Sequence, residues 1–129
     1  MSDIKIKQSM TNLENALKRL KEALDEPKHN ALIIDGTIQR FEFVIELYWK
    51  TLKRLLDSQG IHATTPKEVL KKAYAAEWLK NEPAWLQMLE DRNETSHVYD
   101  EEKAKEIYQH IHNNFPELQK TFIFLKEKF

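Results

Sequence analysis

The chain has 129 residues, with 20 Lys+Arg against 21 Asp+Glu for a formal net charge of −1, so no global field draws in nucleic acid or an anionic membrane and any RNA contact must be local. It contains no cysteine, which removes disulfides, thiolate nucleophiles and Cys-ligated zinc together and fits a reducing compartment. Two Gly, four Pro and 32% charged residues predict an all-α protein with short connections, and the length predicts a single domain over residues 1–129 that buries roughly two thirds of its unfolded surface.

The first helix is expected from about Asp3 to Asp25, where Met10, Leu13, Leu17, Leu20 and Leu24 alternate at spacings of three and four, the seam of a helical bundle. Lys18, Arg19, Lys21 and Glu22 occupy its opposite, solvated face, and Pro27 with Lys28, His29 and Asn30 ends it. The second helix runs from about Asn30 to Ser58 and is stopped by Gly60. Ile34, Ile38, Phe41, Ile45, Tyr48, Leu52 and Leu55 repeat the alternation, while Phe43, Val44, Leu47 and Trp49 add a second apolar flank. One bundle seam does not require that surplus. It is explained either by a central helix buried all round or by a subunit interface. Gly36, inside this helix, costs about 1 kcal/mol relative to Ala, which a closely packed neighbour would justify.

Thr65, Pro66 and Glu68 form a capping box with proline at the first helical position and open a third helix. Its apolar face is Val69, Leu70, Ala73, Tyr74 and Trp78. Asn81, Glu82 and Pro83 read as an end and a fresh start; the fourth helix carries Trp85, Met88 and Leu89 inward and delivers Arg92. Asn93, Thr95 and Ser96 compete for their own backbone, so this helix is expected to end near Ser96. Asp100, Glu101 and Glu102 cap a final helix, with acids where its dipole favours them. Ile107, Ile111, Leu118, Phe122 and Leu125 continue the seam, and Asn113, Asn114, Phe115 and Pro116 are expected to break or kink it. The architecture is an antiparallel up-and-down bundle of four main helices, the last one broken or kinked. No apolar run approaches the roughly 18 residues of a membrane span, and Met1-Ser2-Asp3-Ile4-Lys5 has no signal-peptide core, so a cytoplasmic location is expected.

Several chemistries are excluded. Two glycines cannot build a phosphate-binding loop, and no Gly-x-Ser-x-Gly marks a serine nucleophile. His110 and His112 are two apart on a helix and project to different sides, a poor metal pair; His29 and His62 fall in connections. Asn93-Glu94-Thr95 matches a glycosylation acceptor only by chance in a cytosolic chain. Arg92, Asn93, His97 and Tyr99 remain. A guanidinium presents a planar fork to phosphate oxygens, and an imidazole titrates near neutrality. Together they suffice for RNA cleavage without a metal or other cofactor: His97 moves a proton at the ribose 2′-hydroxyl or the leaving oxygen, and Arg92 neutralises charge on the phosphate. Residues five apart on an α-helix point about 140° from each other, so Arg92 and His97 need the helix to end between them. One His cannot easily make both proton transfers, and a two-fold homodimer would bring two copies of the pair to one cleft. The bland alternative is that Arg92 and His97 make ordinary polar contacts at a helix end. Lys50, Lys53 and Arg54, or Lys67, Lys71 and Lys72, could line an RNA path, although such charges are usually a solvated face.

Arg92-Asn93-Glu94-Thr95-Ser96-His97-Val98-Tyr99 resembles the Arg-x4-His-x-Tyr motif of the HEPN superfamily, in the branch of HepT toxins or nucleotidyltransferase substrate-binding proteins. Tyr48-Trp49-Lys50, the Gly60 loop, Pro66 with its helix, and Trp85-Leu86-Gln87-Met88-Leu89 stand in the order of that family. The resemblance implies a helical-bundle homodimer whose motifs line a shared cleft, a metal-independent ribonuclease in which Arg92 and His97 match the catalytic pair and Asn93 the supporting polar residue. It implies further that Tyr99 matches the tyrosine adenylylated by a partner antitoxin, a minimal nucleotidyltransferase of the MntA type. An older reading of the same family makes such chains the non-catalytic, substrate-binding subunit of a two-chain nucleotidyltransferase.

Overall fold

Each predicted helix forms where its caps and apolar period place it. A computed structural model describes residues 2–94 and 100–129: α1 (Ser2–Leu24), α2 (Ala31–Ser58), α3 (Pro66–Ala75), α4 (Glu82–Glu94) and α5 (Glu101–Lys128). All the described elements are helical. α2 packs against every other helix, and α1 and α5, α3 and α4, and α4 and α5 also touch. One apolar core runs through all five, built on Leu13, Leu17 and Leu20 of α1, the Ile34 to Leu56 seam of α2, and Ile107, Ile111, Leu118 and Leu125 of α5.

The boundaries follow from local hydrogen bonding. Asn30 caps α2, its side chain accepting from the Ile33 N–H at 2.9 Å. At the other end Gly60 adopts φ 77°, and the Ile61 N–H reaches the Leu56 carbonyl while the Gly60 N–H reaches that of Asp57, a Schellman stop that uses glycine's freedom at positive φ. The capping box of α3 is offset by one residue. Thr65 accepts from the Glu68 N–H at 3.2 Å, but the Glu68 carboxylate returns to the Thr64 N–H at 2.8 Å rather than to that of Thr65.

Three expectations need correction. α3 stops at Ala75 instead of carrying Trp78 on its face. Glu77 takes φ 67°, a position usually left to glycine, and the Trp78 N–H closes back on the Ala73 carbonyl at 3.0 Å. Trp78 is then buried beyond the helix end, edge-on to Phe129 at 5.1 Å. Second, of the expected break or kink at Asn113-Asn114-Phe115-Pro116, the break does not occur: α5 runs as one helix through Pro116. Proline removes one donor, yet Phe115 and Leu118 on either side are buried in the core, and tertiary packing outweighs the local penalty. Third, no close neighbour explains Gly36: a Cβ there would meet nothing within 4 Å. It lines an open groove of about 600 Å³ between α1 and α2, with Ala16, Arg19, Arg40 and Phe43.

The surplus flank of α2 divides in the same way. Val44 is fully buried, Leu47 and Trp49 are half-buried, and Phe43 is 62% exposed. Within this chain, α2 is therefore central but not covered on all sides. Because the Gly36 site is open and helical, Gly36→Ala is expected to stabilise the protein by about 1 kcal/mol, read as a higher urea midpoint at unchanged slope.

Candidate functional site

The placement of Arg92 begins with Trp85, seven residues earlier and so on nearly the same stripe of α4. Asn81 accepts from the Ala84 N–H at 3.2 Å to start the helix. Trp85, 1% exposed, stands edge-on to Tyr48 of α2 at 4.8 Å between ring centroids, and its Nε1 donates to Glu117 of α5 at 3.3 Å. The Tyr48 hydroxyl in turn donates to the Leu118 carbonyl at 2.7 Å. This junction fixes α4 against both long helices. Two turns on, the stripe emerges from the core and presents Arg92 to α2.

There Arg92 Nη2 donates to Oε1 of Glu46, and its Nη1 donates to the Asn93 side-chain oxygen at 3.1 Å. The other Glu46 oxygen faces Lys50 Nζ at 3.1 Å. About a third of each of the Arg92 and Glu46 side chains is exposed, so the cluster is open to a ligand. Partial burial of Glu46 pushes its carboxyl up, but the hydrogen bond from Lys50 and the charge of Arg92 outweigh this and hold it below its ordinary 4.5. It is a carboxylate at neutral pH.

The other side of α4 is tied to α5. Asp91, 4% exposed, lies 3.0 Å from His110 Nδ1. Burial raises its carboxyl above the usual range, opposed by His110. Lys103 bridges Glu94 and Glu106, each at 2.9 Å, and those contacts hold its ammonium strongly protonated. Asn114 donates to Gln87 at 2.9 Å. The C-terminal half of α4 is thus tied to α5 through Gln87, Asp91 and Glu94, while Arg92 turns to α2. At the start of α5, Asp100 accepts from the Glu102 and Lys103 N–H groups at 2.9 and 3.2 Å, as its sequence position predicts.

Of the residues singled out from sequence, Arg92 and Asn93 are brought together with Glu46. His97 and Tyr99, and with them the expected helix end near Ser96, lie outside the described residues. His110 and His112 do diverge: His110 meets Asp91, whereas His112 stands edge-on to Tyr108 at 4.8 Å. His29 is more than a plain loop residue, since its Nδ1 is 2.8 Å from the Tyr108 hydroxyl. No group of three His, Cys, Asp or Glu residues suited to a metal ion occurs among the described residues, and no described helix is long and apolar enough to cross a membrane. Several lysines considered for an RNA path are engaged with acids, Lys53 with Asp57, Lys71 with Glu82 and Lys72 with Glu68. Glu46 escaped sequence reading because its only local signal, a Lys four residues on, is common on helix surfaces.

Residues 8–127 match the family described as nucleotidyltransferase substrate binding protein like. The chain belongs to this family. Among its relatives is a Haemophilus influenzae protein named Probable ribonuclease HepT, 38% identical over 84 residues that cover 61% of this chain. The chain spans about 58% of the length of that curated relative. A crystal structure from Thermus thermophilus superposes with a TM-score of 0.81 at 29% identity, covering 88% of this chain and 98% of the other. A second solved structure, from Haemophilus influenzae, is described as the fold of a substrate-binding domain of a nucleotidyltransferase; it matches with a TM-score of 0.69 at 27% identity over 98% of this chain and 99% of its own. The HepT-like resemblance carried by the Arg92 to Tyr99 motif therefore agrees with the family, and the helical bundle with its solved members.

The depressed Glu46 carboxyl has a thermodynamic signature. A group whose pKa falls on folding stabilises the folded state above its unfolded pKa and loses that contribution as pH falls through the folded value. The stability difference between wild type and Glu46→Gln is accordingly expected at pH 7 and should shrink below about pH 4.5, measured by urea unfolding across that range. A difference independent of pH would contradict the ion pair.

Proposed function

We propose that this chain is a HEPN-type toxin, a metal-independent endoribonuclease whose site is completed at the cleft of a homodimer. The observation that carries the reading is Arg92, the first residue of a complete Arg-x4-His-x-Tyr motif, held by Glu46 and Asn93 at the exposed end of a clamped helix. In the reaction the ribose 2′-hydroxyl loses its proton and its oxygen attacks phosphorus; the bond to the 5′-oxygen breaks, and that oxygen leaves with a proton. Arg92 offsets the charge that builds on the phosphate, and His97 serves the proton transfers. Two subunits supply two imidazoles, one as base and one as acid. The exposed Phe43 and half-buried Leu47 on α2 offer apolar area for such a subunit contact. The name of the Haemophilus relative supports the activity.

The RNA-cleavage test is direct. Purified wild-type protein should degrade RNA in the presence of chelator, and Arg92→Ala and His97→Ala should each lower the rate by roughly 100-fold or more. Equal activity in all three proteins would remove the reading.

A nucleotidyltransferase partner follows from the family description. In the toxin reading that partner, an MntA-like antitoxin, adenylylates Tyr99, adding bulk and negative charge to the motif that must accept an RNA phosphate. Incubation with partner and ATP should add adenylyl mass to the wild type and none to Tyr99→Phe. The Haemophilus structure described as a substrate-binding domain favours a second reading, a non-catalytic subunit of a two-chain nucleotidyltransferase. That reading predicts no RNA cleavage and a transfer reaction by the partner that depends on this chain.

A further inference from the structure

Glu46 is an acid placed against the residue proposed to bind phosphate, an arrangement that at first sight weakens an anion site. The described partners resolve this. Arg92 and Lys50 occupy different oxygens of the same carboxylate, so one acid holds two cations side by side at an exposed position. An isolated arginine on a helix end samples many rotamers, and that freedom must be lost when it grips a phosphate. Here Glu46 has already restricted it. The carboxylate is itself anchored from its own helix by Lys50, one turn on, and α2 is anchored by the Tyr48 and Trp85 junction two residues further along. An uncharged glutamine at this position offers one acceptor oxygen and no charge, and its amide nitrogen would turn donors toward one of the two cations.

We infer that Glu46 is a positioning residue that holds Arg92 and Lys50 as one preorganised cationic pair, with Lys50 contacting an RNA phosphate next to the one Arg92 serves. The inference rests on the ribonuclease reading and adds to it a residue on α2 that acts through Arg92 and a second cation that touches RNA. Lys50 differs here from Lys53, Lys71 and Lys72, whose acid partners are not shared with any arginine.

The experiment is cleavage of a short fluorogenic RNA oligonucleotide by full-length wild type, Glu46→Gln, Glu46→Asp, Lys50→Ala and Arg92→Ala, at a temperature well below every melting transition. Misplacing a catalytic group by about 1 Å costs on the order of 100-fold, so Glu46→Gln should lower kcat by roughly 30- to 100-fold with KM within about 2-fold, and Glu46→Asp, which keeps the charge on a shorter arm, should fall between. Lys50→Ala should weaken RNA binding with little change in kcat and reduce the slope of log affinity against log salt by about 1. A merely structural Glu46 would lower the melting temperature and leave kcat unchanged. If Arg92→Ala is inactive while Glu46→Gln keeps wild-type kcat, or if Lys50→Ala leaves the salt slope unaltered, the inference is overturned and the ribonuclease reading stands. If wild type cleaves no RNA, or Arg92→Ala cleaves as well as wild type, the ribonuclease reading fails and takes the inference with it.

Discussion

The edge-on contact of Trp85 with Tyr48 is the constraint on which the rest of the molecule depends. It is buried, it joins α4 to the central α2, and both rings carry polar groups that must find partners. Those partners, Glu117 and the Leu118 carbonyl, lie next to each other on α5. Two aromatic side chains therefore lock three helices in register. Edge-to-face aromatic pairs of this kind contribute about 0.5–1.5 kcal/mol beyond their burial, but their larger effect is geometric. With Trp85 fixed, a residue seven positions later must emerge at the rim facing α2, and that residue is Arg92.

The rim itself is an arrangement of compensated charges. Asp91, Arg92 and Glu94 are close in the chain, yet their partners lie on two different helices: His110 and Lys103 on α5, and Glu46 on α2. The two partly exposed pairs, Arg92 with Glu46 and Glu94 with Lys103, are individually weak. Their collective consequence is orientation, since contacts to both α5 and α2 leave the end of α4 little freedom to rotate. The polar cluster at the helix end is thereby carried on a rigid support, the kind of support that a precisely placed binding or catalytic group needs.

Two readings of the chain stand side by side, a ribonuclease, the activity in the name of one relative, and the binding half of a nucleotidyltransferase, the role in the family's description. They need not demand different folds. A groove or rim that cradles an RNA phosphate is also suited to the phosphates of a nucleotide, because both are recognised by arginine forks and lysine charges. What separates them is proton transfer, and on the proposed ribonuclease reading that task falls to the motif's histidine, His97.

Much of this was legible in the chain. The spacing of Leu13, Leu17 and Leu20, the Asn30, Thr65 and Asp100 caps, and the Gly60 stop are local signals, set within a turn or two of helix, and the helices begin and end close to where those signals stand. The Arg92 to Tyr99 motif could also be read directly, because its meaning lies in residue identity at short spacing. Other features depended on what surrounds them. Pro116 reads as a breaker until Phe115 and Leu118 are seen buried beside it, and Glu77 gives no sign of a left-handed turn until Trp78 is seen beneath Phe129. The pairing of Arg92 with Glu46 spans 46 positions, and nothing in either neighbourhood announces it. Periodicity and capping chemistry act over single turns and so are written in the order of residues, whereas the meeting of one helix rim with another depends on how buried rings set their crossing, which only the assembled tertiary structure decides.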